Sequence, residues 1–172
     1  FEMMYTAELA GHYKGLRWEA AYLRDDVHID EHITDSPTKH FWGVYAQAGV
    51  LLFGGRQNYD AGGAKYTRIT PGRSWGDLEL CARYDRLDLD SQDIRGGAAN
   101  GWTVGLNYWV NSNIKMMLNY QYVKNNANAN GNGKLNIGLD SAGEPTTNPA
   151  DVAGSKSGVG YNMLACRFEI NF

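Results

Sequence analysis

The sequence predicts an all-β fold: a transmembrane, antiparallel, up-and-down β-barrel of which about seven strands are visible. Three observations lead to this class. Apolar and polar residues alternate with a period of two over runs of about 10–14 residues, against ~5–6 for an average soluble strand. A tilted transmembrane strand needs about 9–11 residues. Tyrosine and tryptophan gather near strand ends, where amphipathic rings favour the membrane interface. The alternative is a soluble β-sheet protein with its apolar face inward.

The predicted strands follow one another as a meander. Two connections, 12–15 and 111–113, are tight enough to close hairpins. Four longer connections are rich in polar residues, Gly or charge: 25–40, 55–75, 88–100 and 125–157. The seven strands are 2–12, 16–28, 41–54, 77–85, 102–110, 114–123 and 158–172.

Composition excludes several classes of function. No run approaches the ~20 apolar residues of a membrane helix, which excludes a helical membrane protein only. The net charge of −3 gives no general attraction to nucleic acid. No nucleophile–base pair, Gly-rich phosphate loop or metal-ligand spacing is present, so we expect neither an enzyme nor a cofactor. Cys81 and Cys166 form no CxxC motif and are expected to be free thiols on opposite faces of non-adjacent strands.

The alternation assigns side chains to two faces, one toward lipid and one toward a water-filled lumen. If Phe172 lies at the periplasmic rim, the loop 125–157 is external and both short turns are periplasmic, with the long link 55–75 as an exception. The residues predicted to face lipid are Trp18, Tyr22, Leu106, Tyr108, Leu118, Tyr120, Phe168, Ile170 and Phe172. Those predicted to line the pore are Arg17, Glu19, Glu79, Arg83, Asp85, Lys115, Arg167 and Glu169.

Seven is an odd number of strands. Single-chain bacterial barrels have even numbers, and an open sheet edge is not tolerated in lipid. We therefore expect residues 1–172 to be the C-terminal portion of a single longer barrel domain, or a chain whose other strands come from elsewhere.

Several segments resemble the phosphate-selective porin O and P family. They are YAQAG at 45–49, GGRQNYD at 54–60, YTRITP at 66–71, WGDLELCARYDRLDLD at 75–90 and GLNYWVNSN at 105–113, together with the last strand. The resemblance implies a trimeric porin of the bacterial outer membrane with about 16 strands, of which these would be the last seven. It also implies that the terminal strand is read by the outer-membrane assembly machinery.

The function implied is a channel for passive diffusion of small polar or anionic solutes, with phosphate as one candidate. A phosphate-selective pore needs an excess of cations to replace the anion's hydration. Here four cations, Arg17, Arg83, Lys115 and Arg167, meet five anions, Glu8, Glu19, Glu79, Asp85 and Glu169. This balance favours ion pairs that hold the wall together. The alternative is a barrel that anchors or docks a partner complex at the surface.

Overall fold

The computed structural model describes residues 1–29, 37–92, 94–126, 129, 138–146, 151 and 160–171. Within these ranges no helix is long and apolar enough to cross a membrane. Seven long strands form one antiparallel sheet in the order β1-β2-β3-β6-β7-β8-β11. Their bounds are β1 Glu2–Tyr13, β2 Leu16–His28, β3 Thr38–Leu51, β6 Asp77–Ser91, β7 Ile94–Trp109, β8 Ile114–Asn125 and β11 Tyr161–Ile170. Four two-residue strands complete the set: β4 Tyr59–Asp60, β5 Lys65–Tyr66, β9 Gly138–Leu139 and β10 Pro145–Thr146.

Each long strand pairs with the next long strand along the chain, so the sheet is an up-and-down meander with β1 and β11 at its two edges. The predicted all-β, antiparallel fold is confirmed, as are its seven long strands. The described sheet does not close on itself, and its shape is that of part of a barrel. The predicted lipid contact of Phe172 lies outside the described residues. Most of the predicted loop 125–157 also lies outside them.

The loop predicted around 88–100 is wrong. β6 continues to Ser91 and β7 begins at Ile94, with a shift of register between Asp88 and Asp90. Asp90 Oδ1 accepts a hydrogen bond from Gly97 N at 2.8 Å, and Gly97 has a φ of +95° that suits glycine. The hairpin here carries polar residues on both faces. After Asp85, Arg86 and Asp88 take the face that Ala82 and Tyr84 occupy. Leu87 takes the face of Arg83, so the pattern of the preceding strand is reversed. Residues 96–99 of β7 are all Gly or Ala and show no alternation.

The register places the side chains of the sheet on two chemically different faces. We call one the apolar face and the other the polar face. Cys81 lies on the polar face of β6 and Cys166 on the apolar face of β11, and both are free thiols, as predicted. One aligned row on the apolar face is Trp18, Ala48, Ala82, Val104, Tyr120 and Leu164. The adjacent row on the polar face is Glu19, Gln47, Arg83, Thr103, Gln121 and Met163.

At the end of the sheet opposite the short turns, the apolar side chains of this face give way to polar and charged ones. The positions at which this change occurs follow an oblique line across the strands. On β2 the first charged residue of the apolar face is Arg24. On β6 it is Arg86, which is aligned with Tyr22 and so lies two residues nearer the short turns. On β11 the first polar residue is Asn162, which is aligned with Tyr84 and so lies another two residues nearer the short turns. Strands that are tilted relative to the membrane normal meet the edge of a membrane at different register positions, which produces such an oblique line.

Candidate functional site

The polar face is concave. A single cavity of about 330 Å³ is lined by residues of strands from β2 to β11, which a flat sheet could not bring together. Charged groups line the β2–β6 side, and amide, thioether and small side chains line the β7–β11 side. The lining includes Arg17, Glu19, Gln47, Arg83, Thr103, Asn107, Met117, Asn119, Gln121 and Met163.

Glu79 is the centre of a hydrogen-bond network at the short-turn end of this face. Its side chain has no exposed surface. Its carboxylate accepts bonds from Arg17 Nε at 2.8 Å and Gln57 Nε2 at 3.0 Å, and from Asn107 Nδ2 at 2.9 Å and Trp109 Nε1 at 3.1 Å. A buried carboxylate is tolerated only when its lone pairs are satisfied in this way. Glu79 therefore binds β2, β7 and the connection after β3 together.

Gly49 makes the bond between Arg17 and Glu79 possible. These residues lie on β2 and β6, and Gly49 occupies the intervening strand β3. A Cβ atom at position 49 would lie 2.8 Å from Glu79 Oε1 and 3.1 Å from both Arg17 Nε and Cys81 Sγ. Only a residue without a side chain leaves the space through which the ion pair passes.

Asp77 fixes both ends of the connection between β3 and β6, which we call the 52–76 segment. The Asp77 carboxylate is completely buried. It accepts backbone hydrogen bonds from Phe53 at 3.0 Å and from Gly55 and Gly72, each at 2.9 Å. Because these three donors lie at the two ends of the segment, one carboxylate closes it into a loop.

The 52–76 segment extends across the concave face. At one side, the hydroxyl of Tyr66 donates to the backbone oxygen of Gly11 at 2.6 Å, on β1. At the other, Arg68 Nη1 donates to Asn113 Oδ1 at 2.9 Å, in the turn between β7 and β8. The segment therefore covers part of the polar face at the short-turn end.

A second polar network lies farther from the short turns. The Tyr45 hydroxyl donates to Glu19 Oε1, and Gln47 Nε2 donates to Glu19 Oε2 at 3.2 Å. Arg83 Nη1 donates to Gln47 Oε1 at 3.1 Å, and its guanidinium lies 4.3 Å from the centre of the Tyr45 ring. Arg83 Nε also contacts Asp85 at 3.2 Å. The network links β2, β3 and β6 while Arg83 stays partly exposed to the cavity.

A third group joins β8 to β11. Lys115 Nζ lies 3.3 Å from Glu169 Oε1, its direct partner across the two strands. Arg167 Nη2 contacts Glu169 Oε2 at 3.2 Å along the same strand. Each of the four predicted pore-lining cations thus has an acidic partner. One pair joins neighbouring strands directly, one spans an intervening strand, and two run along a strand.

All eight residues predicted to line the pore lie on the polar face, in these three groups. Eight of the nine residues predicted to face lipid lie on the opposite, apolar face, and Phe172 is not described. Sequence reasoning missed the roles of Asp77, Gln57 and Tyr66. An acid directly after a Gly-rich connection was the available signal for Asp77, whereas nothing in the sequence identified the partners of the other two.

A seven-stranded antiparallel meander with a polar concave face and an exposed apolar face is consistent with part of a β-barrel. The family model described as phosphate-selective porin O and P matches residues 4–143, and the chain belongs to this family. It is similar to Porin O of Pseudomonas aeruginosa, with 28% identity over 126 residues and 67% of the chain. It is also similar to an uncharacterized protein of Caulobacter vibrioides, with 31% identity over 106 residues and 60% of the chain. The matched region spans 28% and 20% of these relatives, respectively.

Proposed function

We propose that this sheet is part of the wall of a water-filled channel through which small polar or anionic solutes diffuse across the bacterial outer membrane. The observation that carries the proposal is the separation of the two faces. Large apolar residues such as Trp102 and Phe168 are 60% and 59% exposed on one face, while the other carries the charged and amide side chains that line the cavity. An exposed apolar surface of this extent needs a lipid or protein neighbour.

The charge pattern supports a channel for a range of solutes over one dedicated to phosphate. Every cation of the three polar groups has an acidic partner at 2.8–3.3 Å. Pairing of this kind leaves little net field to concentrate an anion. The strand count of family members and the even-number rule support a barrel of about 16 strands. We further propose that it assembles as a homotrimer and is recognised through its terminal strand by the barrel assembly machinery.

The full-length protein should give stable, ohmic conductance steps when it is added to planar lipid bilayers. Folding is checked first by its heat-modifiable migration in a denaturing gel. Absence of conductance from folded protein would contradict the channel and favour the anchoring or docking role. Extraction into buffer without detergent would contradict both.

Reversing the charge of Arg83 is expected to change ion selectivity. Arg83 lies on the cavity wall with 39% of its side chain exposed. Arg83→Glu should raise the ratio of cation to anion permeability by roughly twofold or more, because the local potential becomes more negative. The reversal potential under a KCl gradient measures this ratio. Arg24→Glu is the matched control on the other face, and equal shifts in both variants would contradict the assignment of the faces.

A charge placed on the apolar face is expected to destabilise the protein in lipid. Val104 lies in the middle of this face and is 54% exposed. Val104→Arg should lower the free energy of unfolding by about 2–4 kcal/mol, the cost of an arginine at the bilayer midplane. Urea titration in lipid vesicles measures it. Thr103→Arg, one residue away on the polar face, should cost much less, and similar losses would show that Val104 does not contact lipid.

A further inference from the structure

The cavity on the polar face is a trough that crosses the strands. Its floor follows one aligned row of the sheet, in which small residues predominate: Arg17, Gly49, Cys81, Gly105, Asn119 and Ala165. All of these except Gly49 line the cavity. The neighbouring rows, with Gln121 on one side and Met117 on the other, carry longer side chains and form the walls. The trough has a volume of about 330 Å³, which lies in the range of ~300–1,000 Å³ for small-molecule sites.

The charged side chains of the trough already have partners. Arg17 lies 2.8 Å from Glu79. Arg83 lies 3.2 Å from Asp85. Both carboxylate oxygens of Glu19 accept hydrogen bonds from neighbouring side chains. An ion that entered the trough would exchange its hydration for groups that are already engaged, which is unfavourable. The charges of the trough therefore favour an uncharged solute.

Three uncharged polar side chains on the β7–β8 side of the trough have no such partners among the described residues. They belong to Thr103, Asn119 and Gln121, which line the cavity and are half-buried. None of the three forms a side-chain hydrogen bond within the part of the chain that the structure describes. A Cβ atom at position 105 would collide with Asn119 Oδ1, so the amide of Asn119 extends over the floor at Gly105.

The register places these three side chains close enough together to contact one small solute. Thr103 and Gln121 are direct partners across β7 and β8, with Cβ atoms about 5 Å apart. Asn119 is two residues from Gln121 on the same face of β8, or about 7 Å away. A ring of the size of a monosaccharide, with polar groups around its edge, can reach all three.

The hydrogen-bonding capacity of these side chains matches that of hydroxyl groups. A carboxamide offers one acceptor oxygen and two N–H donors, and the threonine hydroxyl both donates and accepts. A hydroxyl group of a solute also donates and accepts, so it can use both halves of each amide. A phosphate group is mainly an acceptor and would use only the donors. Met117 and Ala165 add apolar surface nearby, which suits the C–H groups of a sugar ring.

We propose that the trough is a binding subsite for a neutral polyhydroxylated solute, a sugar or polyol of about the size of a monosaccharide, which contacts Thr103, Asn119 and Gln121. The proposal deepens the proposed function, since it names a class of solute for the channel, and it rests on that function for the route by which the solute enters. A phosphate ion is the other occupant to be tested. The paired charges and the available amides of the trough favour the neutral solute.

The first test measures the binding of D-glucose to the full-length protein by saturation-transfer-difference NMR. The detergent must lack a sugar headgroup, because a glucoside or maltoside would compete for the trough. Glucose should bind saturably. Asn119→Leu combined with Gln121→Leu should weaken binding roughly tenfold, since the hydrogen bonds of both amides are lost. Asn162→Leu is the matched control, because it removes an amide from the apolar face of β11, and it should leave binding unchanged.

Two further measurements do not depend on the double variant. Thr103→Val, which keeps the shape of the side chain, should weaken glucose binding about threefold. In planar bilayers, glucose should lower the single-channel conductance of the unmodified protein with the same half-saturation as in the binding measurement. Inorganic phosphate at an equal concentration should not displace glucose.

Three results would overturn the proposal. They are no saturable binding of glucose to the folded, unmodified protein, an unchanged dissociation constant in the folded variants, and displacement of glucose by phosphate at lower concentrations than glucose itself requires. The first needs no substitution, so a variant that fails to fold does not protect the proposal. Glucose binding without conductance would contradict the channel and support the subsite. Conductance without glucose binding would support the channel and overturn the subsite.

Discussion

Replacing Glu79 by alanine is expected to lower the free energy of unfolding of the full-length protein by about 3–5 kcal/mol, the range for breaking a buried ion pair. Arg17, Gln57, Asn107 and Trp109 all donate to this carboxylate, and the buried amides of Gln57 and Asn107 would lose their acceptor with little water to replace it. Urea unfolding in detergent, followed by tryptophan fluorescence, measures the loss.

Glu169→Ala is the matched control for this prediction. Glu169 also pairs with two cations, Lys115 and Arg167, but its side chain is 20% exposed and Arg167 is 67% exposed. Exposed pairs contribute about 0–1 kcal/mol, so the control should remain close to the unmodified protein. Equal destabilisation by both substitutions would mean that the burial of Glu79 has no particular importance.

Replacing Asp77 by alanine is expected to release the 52–76 segment and to increase single-channel conductance. Three backbone N–H groups, of Phe53, Gly55 and Gly72, lose their acceptor, at about 1–3 kcal/mol for each group that stays buried. Without the hydrogen bonds to Asp77 at its two ends, the segment should move away from the concave face and cover less of it. Conductance in planar bilayers and new trypsin cleavage within the segment, for example after Arg68, are the two measurements.

Asp60→Ala is the matched control for this prediction, because it also removes one negative charge and lies within the 52–76 segment. Asp60 is exposed and accepts one hydrogen bond, from Gly62 N at 3.0 Å, among the contacts described. It should alter neither conductance nor trypsin cleavage. If Asp77→Ala gave normal conductance while trypsin cleaved the segment, the segment would not lie in the path of the solutes.

The long strands and their two faces could be predicted because alternation by two is a local property of the sequence. Beyond Asp85 the two faces exchange character, with Arg86 and Asp88 on the apolar face and Leu87 on the polar face. The extension of β6 to Ser91 and the start of β7 at Ile94 were therefore not recognised. The bounds of β3 show the same limit. Phe53 continues the alternation of the strand, but its backbone N–H is bound by Asp77 after the strand has ended at Leu51.

The candidate site was predicted as a set of charges but not as a set of partners. The sequence places Arg17, Glu79 and Asn107 on the polar face by counting alone. Which of them meet depends on the register between strands and on the path of the 52–76 segment, both of which are non-local. The sequence predicts no role for Gly49, although its lack of a side chain leaves room for the Arg17–Glu79 pair.

Gly49 also has a mechanical consequence. Arg17 and Glu79 belong to strands that are second neighbours, so their 2.8 Å bond acts as a chord across the inner side of an arc. This bond limits how far β2 and β6 can move apart on the concave side, and it therefore favours a curved sheet at this point. A side chain at position 49 would push the chord apart and flatten the arc. The curvature of the sheet near the short turns therefore depends on a residue that contributes no side-chain atom to it.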